Sequence, residues 1–122
     1  MTERRYQTLV QFVSTRAQRY FRTAVHYTED GWEALYRRGD LPAERAERRT
    51  SAVVEKARAR DPLREPDSPF GDLDATVELY ENGVFIIIRE SATEGVIVSL
   101  ERDAARNLAG FVVECERIVS GD

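Results

Sequence analysis

A chain of 122 residues that is 42% apolar and 33% charged suits one globular domain rather than a disordered segment. Its longest unbroken apolar run, residues 84–88, is far short of the roughly 20 residues that span a bilayer. One Cys (Cys115) and one His (His26) exclude an internal disulfide and a Cys/His zinc site within one chain.

The charge is unevenly distributed. Of 18 basic residues 17 are Arg, Lys56 being the one Lys; the first 60 residues carry net +5 and the remainder −9, for a total of −4. Arg4 and Arg5 could open a signal peptide, but Tyr6, Gln7, Thr8 and Gln11 interrupt any apolar region behind them, so a cytoplasmic protein is expected.

Residues 3–20 place Tyr6, Leu9, Val10, Val13, Ala17 and Tyr20 on one helical stripe, with Thr2 as the expected N-cap. From Phe21 the period changes to two: Phe21, Thr23, Val25 and Tyr27 alternate with Arg22, Ala24, His26 and Thr28. Asp30-Gly31 then precedes residues 32–36, an Asp-Gly step of the kind that joins two strands in a hairpin. Asp40 reads as the cap of a second helix over residues 41–60, with Pro42 in its first turn. That helix has a thin stripe, Leu41, Ala46, Ala52, Val53, Val54 and Ala57, so part of its face is expected to be reserved for a partner.

A proline-rich crossing follows at 61–69, then three strands. Leu73, Ala75, Val77 and Leu79 face one way against Asp74, Thr76, Glu78 and Tyr80, and Asn82-Gly83 marks a second tight turn. Residues 84–88 are apolar on both faces, as expected of a central strand covered on both sides or of one at a subunit contact, and a turn at Gly95 leads to residues 96–100. Asp103 caps an expected last helix carrying Ala104, Leu108, Phe111, Val112, Cys115, Ile118 and Val119. The order α-β-β-α-β-β-β-α predicts a single α+β domain over residues 1–122, a five-stranded, mostly antiparallel sheet with packed helices.

This element order is similar to that of roadblock and other profilin-like domains. A more local resemblance lies in residues 27–41, from Tyr27-Thr28-Glu29-Asp30-Gly31-Trp32 to Gly39-Asp40-Leu41, and in residues 95–115. Together these look like a family of small uncharacterised proteins from halophilic archaea, which carries no assigned activity. The resemblance implies a high-salt archaeal cytoplasm; the sequence pI near 5.1 is high for such a proteome and leaves a GC-rich mesophilic bacterium as the alternative.

No constellation points to catalysis. His26 has no accompanying nucleophile turn, so it reads as a sheet-face histidine paired to a neighbouring strand. Cys115 lies on an apolar stripe, where it acts as a small hydrophobe. Asp72, Asp74, Glu78 and Glu81 lack calcium-loop spacing, and among seven glycines there is no phosphate-binding fingerprint. The expectation is a non-enzyme without cofactors or metals.

The reading that joins most features is a homodimeric interaction or regulatory module. In roadblock-like domains the second helix and third strand form the dimer contact, which the resemblance maps onto Leu41, Val53, Val54, Leu73 and Val77. Pairing in a twofold dimer would also protect a bare edge strand. The alternative is a nucleic-acid-associated regulator contacting phosphates through Arg45, Arg48, Arg49, Arg58 and Arg60. Glu44–Arg48 and Glu55–Arg58 have the spacing of helix-surface ion pairs, which argues for a solvated helix instead.

Overall fold

The computed structural model describes residues 3–59, 69–73 and 75–106. Thr2, Arg60, residues 61–68 of the expected crossing, Asp74 and the expected last helix from residue 107 onward, Cys115 included, lie outside the described residues. Asp103 does not act as the expected cap: it lies inside a 3-10 turn, Arg102–Ala105, whose N-cap is Glu101.

Helix α1 (Arg4–Ala17) starts from Glu3, whose extended backbone (φ −63°, ψ 149°) makes it the N-cap in place of the expected Thr2. The Glu3 carbonyl accepts the first helical N–H groups, from Tyr6 and Gln7. The stripe is as read up to Ala17, while Tyr20 belongs to a short 3-10 turn, Gln18–Tyr20. The chain then enters β1 (Phe21–Tyr27) and β2 (Trp32–Arg37), joined at Asp30-Gly31, where the Thr28 N–H donates to the Gly31 carbonyl.

Helix α2 (Ala43–Ala59) begins later than expected. The Ala46 N–H donates to the Pro42 carbonyl, so the chain becomes helical after Pro42, and Asp40 does not cap it. Asp40 instead accepts two hydrogen bonds from the Arg38 guanidinium, at 2.6 and 3.2 Å, which hold its carboxyl below the usual carboxylate range. Strands β3 (Ala75–Leu79), β4 (Gly83–Arg89) and β5 (Gly95–Glu101) complete an antiparallel sheet in the order β2-β1-β5-β4-β3. The second turn signal is also realised, with the Tyr80 N–H on the Gly83 carbonyl.

The architecture is thus α+β; among the described residues α1 lies on one face of the five-stranded sheet and α2 on the other. Successive residues on a strand point to opposite faces, and β5 serves both. Val96, Val98 and Leu100 pack with Phe21, Ala24 and Tyr6 under α1, whereas Ile97 packs with Val25, Tyr27 and Ile87 against Val54 of α2. The strand buried along its length is therefore β5 and not residues 84–88: in β4 only Val84 and Ile87 are buried, because β4 lies one place nearer the edge. Gly95 is a buried strand residue rather than a turn. A Cβ there would lie 2.7 Å from the Tyr27 hydroxyl and against the Ile88 carbonyl, so close backbone packing demands glycine.

Two stability measurements follow from these contacts. Val54 is 1% exposed, so Val54→Ala should lower unfolding free energy by about 2 kcal/mol in urea titrations. Gln18 holds φ at 51°, a conformation that suits glycine, and Gln18→Gly should raise stability by about 1 kcal/mol in the same assay.

Candidate interaction surface

Helix α2 is fastened to the sheet through its C-terminal half. Val54 is enclosed by Val25, Tyr27, Ile87 and Ile97, and the Trp32 indole N–H reaches the Ser51 hydroxyl at 3.3 Å. One turn on, the Arg58 guanidinium donates to the Thr28 and Gly31 carbonyls, each at 2.8 Å, tying the helix to the first hairpin. Two expected contact residues are therefore committed within the chain: Val54 is core and not partner surface, and Arg58 holds a turn and not a phosphate. The expected Glu44–Arg48 and Glu55–Arg58 ion pairs do not form; the ion pairs among the described residues lie elsewhere.

The N-terminal half of α2 stands away from the sheet. Leu41, Ala46, Arg49 and Val53 face a cavity of about 470 Å³ whose opposite wall includes Phe85 and Ile97. Leu41 and Val53 are half-buried, whereas Arg45, Arg48, Arg49 and Lys56 are exposed.

Strand β3 forms one edge of the sheet. Its inner side is paired in the register Thr76↔Ile87, Val77↔Ile86, Glu78↔Phe85 and Leu79↔Val84. Since Tyr80 donates to Gly83, that pair is a hydrogen-bonded one. Alternation along an antiparallel ladder makes 78/85 and 76/87 hydrogen-bonded too, and turns the N–H and C=O groups of Val77 and Leu79 outward. No strand among the described residues pairs with that outer edge. The side chains are available as well: Val77 is 47% exposed and Tyr80 46%, while Leu73 just before the strand is half-buried.

His26 lies at the other end of the sheet, on the α1 face. Its ring lies against Tyr6 (centroids 4.4 Å apart), its Nε2 is 2.8 Å from the Glu94 carboxylate and its Nδ1 is 3.6 Å from Glu33, its cross-strand neighbour. Tyr6 donates to Glu90, which also meets Arg5 at 3.1 Å. Burial, reinforced by the Glu90 carboxylate, pushes the Tyr6 hydroxyl up to about 12. The sequence indicated that His26 faces away from Val25, but not its carboxylate partners, which come from β2 and from the β4–β5 turn.

No cluster of three or more His, Cys, Asp or Glu side chains among the described residues could hold a metal ion, and no described helix is long and apolar enough to cross a membrane. Sequence reading missed Tyr80 and Arg22. Alternation puts Tyr80 on the opposite strand face from Val77, but the exposure that singles it out comes from lying at the end of an edge strand. Arg22 lines the cavity because of a bulge that side-chain alternation does not reveal.

Over residues 7–120 the chain matches a domain family of unknown function, DUF7522, and it belongs to that family. Comparison with curated proteins finds no match.

The Tyr6 environment gives a pH prediction. A phenol whose folded value lies near 12 against about 10 when unfolded favours the protonated native state. Its contribution is therefore complete below pH ~10 and is lost as pH rises through about 12. Absorbance titration of the folded protein should show one phenol ionising near pH 12, and Tyr6→Phe should remove that step.

Proposed function

We propose that this protein is a non-catalytic interaction or regulatory module of the cytoplasm that works as a homodimer, its two sheets joined through β3. The observation that carries this reading is the outer edge of β3, which offers the backbone groups of Val77 and Leu79 beside the exposed side chains of Val77 and Tyr80. A bare edge of this kind invites strand pairing, and a twofold axis across it would satisfy both copies with one set of contacts. The element order, similar to that of roadblock and profilin-like domains, supports the same arrangement, with α2 adjoining the contact through Leu41 and Val53. A halophilic archaeal origin fits the scarcity of Lys, and makes molar salt the proper setting for assembly measurements.

His26 is engaged within the fold, each ring nitrogen facing a carboxylate and the ring lying against Tyr6, as expected of a sheet-face histidine. A second reading, nucleic-acid association, draws on Arg45, Arg48 and Arg49, which share one side of α2 at spacings of three and four and form no ion pair among the described residues. A gel shift that weakens steeply with salt and disappears in the Arg48→Glu, Arg49→Glu double variant would favour it.

Light scattering across a salt range should report twice the chain mass of 14.0 kDa. Val77→Pro removes an outward N–H and leaves the β3–β4 ladder intact, a change that edge strands tolerate. It should yield a folded monomer. A wild-type chain that stays monomeric at high concentration overturns the dimer reading.

A further inference from the structure

Strand β1 contains an irregularity that bears on the cavity beneath α2. Phe21 pairs with Leu100 and Thr23 with Ser99, so one residue of β1, Arg22, has no counterpart on β5. This is a bulge, and bulges redirect side chains. Phe21 consequently joins Ala24 in the core under α1, while Arg22 and Thr23, consecutive residues, both line the cavity on the α2 side. Without the bulge, Arg22 would share the face of Ala24.

A second guanidinium, that of Arg49 on α2, lines the same cavity. The Arg22 guanidinium is held below its ordinary value by burial first, then by the positive charges of Arg49 and Arg38. Arg38 is itself neutralised by Asp40 at 2.6 Å and Glu101 at 3.0 Å. Arg22 and Arg49, by contrast, form no hydrogen bond through their side chains and no ion pair among the described residues. Glu81 stands on the lining too, but the charges acting on Arg22 are those of Arg49, Arg38, Glu101 and Asp40. Two guanidiniums lining one cavity, one from the sheet and one from α2, are complementary to an anion that either can bind in bidentate fashion.

Much of the remaining wall is apolar, with Val25, Val53, Phe85 and Ile97 on it. The Thr23 and Ser99 hydroxyls are hydrogen-bonded to one another, and Thr50, Tyr80, Glu81 and Asn82 complete the polar part of the lining. The cavity volume, about 470 Å³, lies in the range of pockets that enclose small molecules, ~300–1,000 Å³. We propose that this cavity is a binding site for a small amphipathic anion, its carboxylate or phosphate head held by Arg22 and Arg49 and its hydrocarbon tail laid between α2 and the sheet. Leu41, Val53 and Tyr80 line this site as well as adjoining the proposed dimer contact, but anion binding by Arg22 and Arg49 needs no second chain.

Calorimetric titration with three ten-carbon probes below their micellar concentrations tests the site: decanoate, decyl phosphate and decyltrimethylammonium. One anion should bind per chain, and Arg22→Gln or Arg49→Gln should each weaken it about tenfold, the worth of a hydrogen bond to a charged group. Val53→Trp, which fills the cavity, should abolish binding while circular dichroism confirms the fold; the two Arg variants carry the test if that variant does not fold. The Val77→Pro chain should bind with unchanged affinity. A preference for decanoate over decyl phosphate, or the reverse, identifies the head group. Equal affinity for decyltrimethylammonium, indifference to both Arg substitutions, or no saturable binding by either anion overturns the proposal.

Discussion

The backbone of β5 is hydrogen-bonded on both sides, to β1 and to β4, and its side chains alternate between two hydrophobic clusters. Residues Gly95 to Leu100 are all buried, and no other strand is enclosed on this scale among the described residues. The consequence is geometric. Two hairpins that are distant in the chain, β1–β2 and β3–β4, become one sheet only by pairing with this strand. Gly95 permits that pairing at its tightest point, where Tyr27 and the Ile88 carbonyl leave no room for a methyl group.

With β5 at the centre, β2 and β3 become edges, and the two faces acquire different coverings. Helix α1 packs Leu9, Val10, Val13 and Ala17 on one face. On the other, α2 offers Val54, Val53 and Ala57 and has one fully buried side chain. A helix with few large apolar groups cannot lie flush along its whole length. The chain fastens one half through Val54 and Arg58 and leaves space under the other. The thin stripe noted in the sequence and the cavity seen in the structure are the same fact at two levels. The edge of β3 has a different origin, its place at the end of the strand order.

The elements were legible because each is governed by local rules. Side-chain period distinguishes α1 from β1 at Phe21, and Asp30-Gly31 and Asn82-Gly83 mark two turns that close with the expected backbone bonds. The structure departs from these expectations where a competing partner overrides a preference read from helical spacing. Asp40 has the chemistry of a helix cap but is taken by Arg38, and Arg58 has an acidic neighbour at helical spacing but is taken by two carbonyls of the first hairpin. Residues 84–88 form the most apolar strand in the chain, yet lie beside the centre rather than at it, since apolarity does not record strand order. Of the expected interface, Leu41, Val53, Leu73 and Val77 retain some exposure, and Val54 does not.

The sequence by itself determined the α+β class, the succession of helices and strands, both tight turns and the shortage of apolar residues on α2, because those properties reside in spacing and turn chemistry within a few residues. The tertiary structure alone decided that β5 is central, that β3 presents Val77 and Leu79 outward, and that a bulge brings Arg22 to the cavity that Arg49 also lines. The first and the last depend on pairing between strands far apart in the chain, and the second on β3 lying at the end of the strand order. A one-residue irregularity in the β1–β5 register, invisible to any local pattern, changes the face on which a charge is displayed.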